Sequence, residues 1–130
     1  MRVPHILTAC LAAAPLLAGC GLSDPSQNVT ETFSASLGPG GANTHSFSSA
    51  KTGEFSVRLT ALKPSTNVAL GVGFGQPISG QCIVSTANAF STLNRDALSG
   101  SVNKASYCII VYDSGAVTTT TSYTITVSHP

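Results

Sequence analysis

Charge is what this sequence has least of: Asp, Glu, Lys and Arg make up 8% of its 130 residues, against roughly a quarter in an ordinary soluble domain. There is no basic stripe to hold phosphates, so nucleic acid is not an expected partner. There is no cluster of carboxylates either, and with it goes a dedicated calcium cage. No window carries the stripe of an amphipathic helix. The longest uncharged apolar run, Ile6 to Ala18, is thirteen residues, short of the roughly twenty that a helix needs to cross a bilayer. No Gly-x-Ser-x-Gly elbow is present, which removes the usual signature of a serine hydrolase. No internal repeat is visible.

What stands in place of charge is hydroxyl: Ser and Thr are 33 of the 130 residues. A Thr-rich, polar but uncharged composition suits half-exposed strands. From Val29 onward the period is two. Phe33, Ala35 and Leu37 alternate with Thr32, Ser34 and Ser36; Phe55, Val57, Leu59 and Ala61 alternate with Glu54, Ser56, Arg58 and Thr60. Val68, Leu70, Val72 and Phe74 form another inward set, and Tyr123, Ile125 and Val127 alternate with Thr124, Thr126 and Ser128 near the end. Such alternation describes sheets with one wet face. Tyr107 to Tyr112 is apolar on both faces and reads as a central strand. Weaker strands are expected near Thr44 to Ser48, Gln81 to Ala89 and Ala97 to Asn103. Turn residues separate the runs at Gly38-Pro39-Gly40-Gly41, Pro64-Ser65-Thr66-Asn67, Gly75-Gln76-Pro77 and Asp113-Ser114-Gly115. The expectation is an all-β protein, a single antiparallel β-sandwich of about eight strands, jelly-roll or immunoglobulin-like, over residues 29–130.

The N-terminus has a different grammar. Arg2 precedes the apolar run, and the run ends Leu17-Ala18-Gly19-Cys20. A short basic segment before a short apolar one reads as an export signal. Leu17-Ala18-Gly19-Cys20 resembles the lipobox of bacterial lipoprotein signal peptides. That resemblance implies cleavage before Cys20, a diacylglycerol on its thiol, and palmitate-type acylation of the new amine. Residues 1–19 are then signal peptide, and Cys20 to Asn28 a lipidated, flexible tether with little to bury. Gly21 in place of Asp implies, by likeness to Gram-negative sorting rules, the outer membrane. The alternatives are a buried Cys20 behind a core helix, or cleavage without lipid. After cleavage the balance is Lys51, Arg58, Lys63, Arg95 and Lys104 against Asp24, Glu31, Glu54, Asp96 and Asp113, five to five.

Cys82 and Cys108 are then the remaining thiols. In an oxidising compartment an even pair reads as a disulfide; two buried free thiols are the alternative. A structural zinc site is excluded, since no His lies at ligand spacing from either.

The body also resembles the bacterial pre-peptidase C-terminal domain family. The matching stretches are Thr44-His45-Ser46-Phe47, Gly53 to Leu59, Tyr107 to Asp113 and Ser122 to Val127, in that order. The resemblance implies a β-sandwich that is usually appended to secreted enzymes and aids secretion or binds matrix protein or polysaccharide. Here no peptidase is attached. Where many members carry an acidic residue before the Ser-Phe pair, this chain has Asn43, Thr44 and His45, so no metal or other cofactor is expected.

Candidates for catalysis are few. Asp113-Ser114-Gly115 matches the tripeptide of aspartic proteases, but that chemistry needs two carboxylates sharing a proton, and one chain offers one; a turn is the simpler reading. His45 beside Ser46 or Ser48 lacks an elbow, and His129 lies next to the terminus; both are expected to be exposed strand-end histidines. Gly71-Val72-Gly73-Phe74-Gly75 has the wrong spacing for a phosphate loop and reads as close backbone approach or a bulge. The loops around Gly75 to Gln81, Asn88 to Asp96 and Ala116 to Ser122 could offer Gln, Asn, Ser, Thr and Arg95 to a ligand. The functional expectation is a non-catalytic envelope lipoprotein with a structural or interaction role, its partners the membrane and a polysaccharide, peptidoglycan or protein. A surface adhesin is the second reading and a hydrolase a remote third.

Overall fold

The computed structural model describes residues 24–130; the expected signal peptide and lipid-bearing Cys20 lie outside the described residues. Eight strands form two antiparallel sheets of four, and no α-helix is found among the described residues. The strands are β1 (Val29–Leu37), β2 (Ala42–Ser49), β3 (Gly53–Lys63), β4 (Leu70–Ile78), β5 (Gln81–Ser91), β6 (Asp96–Val102), β7 (Ala105–Tyr112) and β8 (Thr121–His129). One sheet runs β1-β8-β3-β6 and the other β2-β7-β4-β5. The expected all-β sandwich is therefore what the chain forms. Of the seven connections six pass from one sheet to the other, and only β4 to β5 is a hairpin within a sheet. That is the order of an eight-stranded jelly roll, and not the immunoglobulin arrangement, in which successive strands neighbour each other within a sheet. Strand β7 is interior to its sheet, as its two apolar faces require.

Period two decides which side chains meet. Leu59, Val57, Leu70, Val72, Ile109, Val111, Ile125 and Val127 are all inaccessible to solvent, and they come from β3, β4, β7 and β8, the four interior strands. Towards one pole the filling turns aromatic: Phe55 stacks on Phe74 with ring centres 4.3 Å apart, Phe74 on Tyr107 at 5.1 Å, and Tyr107 on Phe47 at 5.6 Å. Such offset pairs add to the area they bury. One expected core residue is displaced. The pairing of β3 with β8 slips between Leu59 and Ala61, and the extra residue reverses the alternation, so Leu62 is buried and Ala61 is not.

The β4–β5 region differs more from its expectation. Gly75-Gln76-Pro77 is not a turn but the continuation of β4, with Pro77 paired to Cys82. Strand β4 pairs with β7 only over Gly71 to Gly75, so a missing amide at Pro77 breaks no ladder on that side. The reversal comes two residues later, at Ser79 (φ 51°) and Gly80 (φ 78°). Two successive positive φ angles make the primed two-residue turn that matches strand twist.

The glycines of β4 show why that segment is written as it is. A methyl group at Gly71 would collide with the Tyr112 ring, and one at Gly73 would lie 2.7 Å from Ile110 Cγ2. At Gly75 it would collide with the main-chain oxygen of Ile83, where the β4–β5 pairing also shifts. The expected close backbone approach is found at Gly75, while at Gly71 and Gly73 neighbouring side chains occupy the space. Because β5 comes in over Gly75, Cys82 reaches Cys108 across β4, with Cα atoms 5.8 Å apart, and the two form the disulfide.

Closing a loop of 26 residues contributes about 3.5 kcal/mol in the chain-entropy account. Reduction, or joint Cys82→Ser and Cys108→Ser replacement, is expected to lower the unfolding free energy by about that amount in a denaturant titration. Gly75→Ala should cost at least about 1–3 kcal/mol by overpacking, whereas Gly38→Ala, with nothing within 4 Å of the added carbon, should be nearly neutral. Equal melting temperatures for the two alanine variants would refute the close-approach account.

Candidate functional site

The six crossing connections place the loops at two poles. At the first stand the start of β1, the β2–β3 loop, the β4–β5 turn, the β6–β7 loop and the end of β8; at the second are the β1–β2, β3–β4, β5–β6 and β7–β8 loops. The chain arrives at the first. Pro25–Gln27 form a single 3-10 turn, capped by Asp24 Oδ1, which accepts from the Ser26 amide at 3.0 Å. Asn28 Nδ2 then donates to the Glu54 carbonyl at 3.0 Å. The C-terminal half of the expected tether is thus seated against the body, because Asn and Asp side chains supply local hydrogen bonds that a featureless linker lacks.

Both histidines correct their expectation, for neither is an exposed strand-end residue. His129 is 2% exposed. Its Nε2 lies 2.8 Å from Glu31 Oε1 on the edge strand β1, and its ring is 4.8 Å from that of Phe47. The end of the chain is tied down as well: the Pro130 main-chain oxygen accepts from the Ala50 amide and from Ser49 Oγ, both at 3.1 Å. The reason is parity. His129 continues the inward series Tyr123, Ile125, Val127, and β8 runs between β1 and β3. His45 likewise shares the inward face of β2 with Phe47. It stacks on Phe33 at 5.0 Å, and its Nε2 and Tyr123 Oη share a hydrogen bond of 2.7 Å. Burial lowers the His45 pKa and raises that of Tyr123, so both stay neutral near pH 7. Ser46 and Ser48 are exposed on the opposite face, and Ser48 Oγ pairs with Ser106 Oγ at 3.2 Å. Neither serine is the partner of His45, whose ring is bonded to the Tyr123 phenol.

Asp113 is a clasp. One carboxylate oxygen accepts from the amides of Gly115 at 2.7 Å and Val117 at 3.0 Å, the other from the Gly40 amide at 2.8 Å. The first two build the β7–β8 turn, as expected of Asp-Ser-Gly; the third ties that turn to the β1–β2 loop. Accepting these backbone amides, Gly40 foremost, holds the Asp113 carboxyl below the ordinary carboxylate range. Both oxygens are thus held by backbone amides, and among the described residues no second carboxylate is bonded to them.

Two of the three loops expected to present ligand groups are largely strand: β4 runs to Ile78, and β5 to Ser91. A recessed surface lies elsewhere. A shallow groove of about 380 Å³ lies on the sheet of β1, β8 and β3, lined by Ser34, Ser36, Ser122, Thr124, Ala61 and Lys63 among others. Ser34 pairs with Thr124 at 2.8 Å and Ser36 with Ser122 at 2.7 Å across β1 and β8. The signal was present in the sequence as a run of Ser and Thr at the outward positions of those strands. Among the described residues no group of three or more His, Cys, Asp or Glu could hold a metal ion, and no helix is long and apolar enough to cross a membrane. Compared with models of known protein families and with curated proteins, the chain matches none.

Replacing Asp113 by Ala should lower the melting temperature by several degrees at pH 7 while the sandwich still forms. Since the folded carboxyl titrates lower than the unfolded one, its contribution is complete above about pH 4 and is lost as pH falls through the folded value. Melting curves of the variant and the parent should therefore converge in acid. A gap that persists undiminished well below pH 3 would show that the carboxylate is not what holds the two loops.

Proposed function

We propose that the chain is an exported lipoprotein of the bacterial envelope, cut before Cys20 and anchored by lipid there, whose jelly-roll body is a non-catalytic structural or interaction module. The observation that carries the reading is the placement of Leu17-Ala18-Gly19-Cys20 at the end of a short apolar run behind Arg2. The Cys82–Cys108 disulfide agrees with it, since structural disulfides belong to oxidising compartments. Two or three acyl chains anchor stably where one would not. Gly21 directs the anchor to the outer membrane. Kinship with pre-peptidase C-terminal domains belongs to the same proposal; it rests on the four strand stretches and their order. The non-catalytic reading draws on His45, bonded to a phenol and not to a serine, and on Asp113, whose oxygens are spent on backbone amides.

A second reading, a surface adhesin for carbohydrate or matrix protein, draws on the groove of Ser34, Ser36, Ser122, Thr124 and Lys63. Paired hydroxyls both donate and accept, as recognition of sugar hydroxyls requires, and Lys63 adds a further donor. Protease added to intact cells would trim an adhesin and spare a periplasmic protein; blank pull-downs on peptidoglycan, polysaccharide and collagen would remove it.

Metabolic labelling with an alkyne palmitate tests the address. The native chain should take up label and lose it entirely in Cys20→Ser, and the intact mass should show a new N-terminus at Cys20 carrying acyl chains. An unprocessed N-terminus at Met1 would end the proposal.

A further inference from the structure

The β4–β5 hairpin carries apolar surface that the sandwich does not use. From Pro64 to Asn94 the chain has 31 consecutive residues without Asp, Glu, Lys or Arg. Within that stretch Ile78 is 54%, Ile83 49% and Val84 42% exposed in the half of the hairpin nearer the first pole, and Phe90 is 76% exposed near the second. Past Gly75 the hairpin no longer pairs with β7, and Gln76 to Ile78 pair only with Gln81 to Ile83, although Cys82 stays bonded to Cys108 of β7. The result is a narrow two-stranded ribbon, uncharged and tipped by Ser79-Gly80, running out to the first pole. A long apolar edge left open to water is something soluble sheets ordinarily blunt with charge.

Its position is the second observation. The chain enters the body at the same pole, where Asn28 is fastened to the start of β3. Three residues, Gly21 to Ser23, lie between Cys20 and Asp24, the first described residue, so at roughly 3.5 Å for each of the four steps the Cys20 Cα can lie no more than about 14 Å from that of Asp24. A leash that short holds the pole at the bilayer and gives even a weak contact a high effective concentration. Lys51 and Lys104 stand at this pole, but so do Asp24 and Glu54, while Glu31 is paired with His129. Charge therefore supplies no net pull, and apolar contact is left to act.

We propose that the tip of the β4–β5 hairpin, through Ile78 and Ile83, dips into the interfacial layer of the membrane that holds the Cys20 lipid, so that the domain stands on this pole with a set orientation. The inference rests on the lipid-anchor reading and adds to it a second, protein-borne contact. Its reach is that of an interfacial element, about 5–10 Å into the headgroup and acyl boundary.

The sequence contains no Trp, so a single introduced indole reports its own surroundings without background. The full mature chain, carrying its lipid, would be reconstituted into phosphatidylcholine vesicles as Ile78→Trp, as Ile83→Trp, or as Thr66→Trp in the β3–β4 loop at the opposite pole. Acyl chains with and without bromine would be compared. The two hairpin variants should emit to the blue of Thr66→Trp and lose roughly half of their emission to brominated lipid, with Thr66→Trp unaffected. Emission unchanged in all three, from protein that floats with the vesicles, would overturn the docking and leave the anchor standing. A blue shift without bromine quenching would mean that a second copy of the chain covers the hairpin, which also overturns it. Protein that fails to float would remove the anchor, and the docking with it.

Discussion

The fold depends on the last strand being laid between the first and the third. β8 pairs with β1 along its whole length, Val29 to His129 and Leu37 to Thr121, and on its other edge with β3. Its inward row of Tyr123, Ile125, Val127 and His129 is buried throughout, so the core of one sheet is complete only when residues about ninety positions apart have met. Nothing local rewards that meeting in advance. Six of seven connections cross between the sheets, and such non-local topology folds slowly because loop closure precedes the contacts that repay it. The disulfide acts in the other sheet, between β5 and β7, where β4 alone would otherwise hold the edge strand.

With so little charge, the surface is organised by hydroxyls and by a few polar clasps. The exposed Arg58–Asp96 pair, 2.8 Å apart and about half exposed on each side, contributes little in water. Asp113 matters more because its partners are backbone amides of two different loops, which it holds in one arrangement. At the opposite pole His129 and Glu31 do the comparable work, joining the ends of β1 and β8. Each pole thus has one carboxylate that closes the sandwich.

The two poles differ in what they offer the surroundings. The second carries the four loops and the Asp113 clasp. The first carries the arriving chain, the aromatic end of the core and an uncharged ribbon with exposed isoleucines. A sandwich with this polarity, held by lipid at its first pole, would present the loops outward and leave the hydroxyl groove of β1 and β8 on its flank. On that proposal, envelope components would meet the loops and the flank.

The sequence alone determined the faces. Period two and the turn residues placed eight strands, the central character of β7 and most of the buried set, because burial alternates with the pleat whatever the neighbouring strand is. The pairing of Cys82 with Cys108 is the expectation once Cys20 is read as lipid-bearing and Cys10 as part of a signal peptide, and the structure forms that bond. Both histidines were legible too, since His129 and His45 fall on inward parity; position near a terminus and a polar side chain obscured it. Only the tertiary structure decided which strands are neighbours, because a period names a face and never a partner. It decided that the chain reverses at Ser79-Gly80, beyond the point where β4 stops pairing with β7 and can tolerate Pro77. It decided that a bulge at Thr60 exchanges Ala61 for Leu62. It decided above all that the tether, the uncharged hairpin and the end of β8 come to one pole, since that juxtaposition arises from strand order and from no local run of residues.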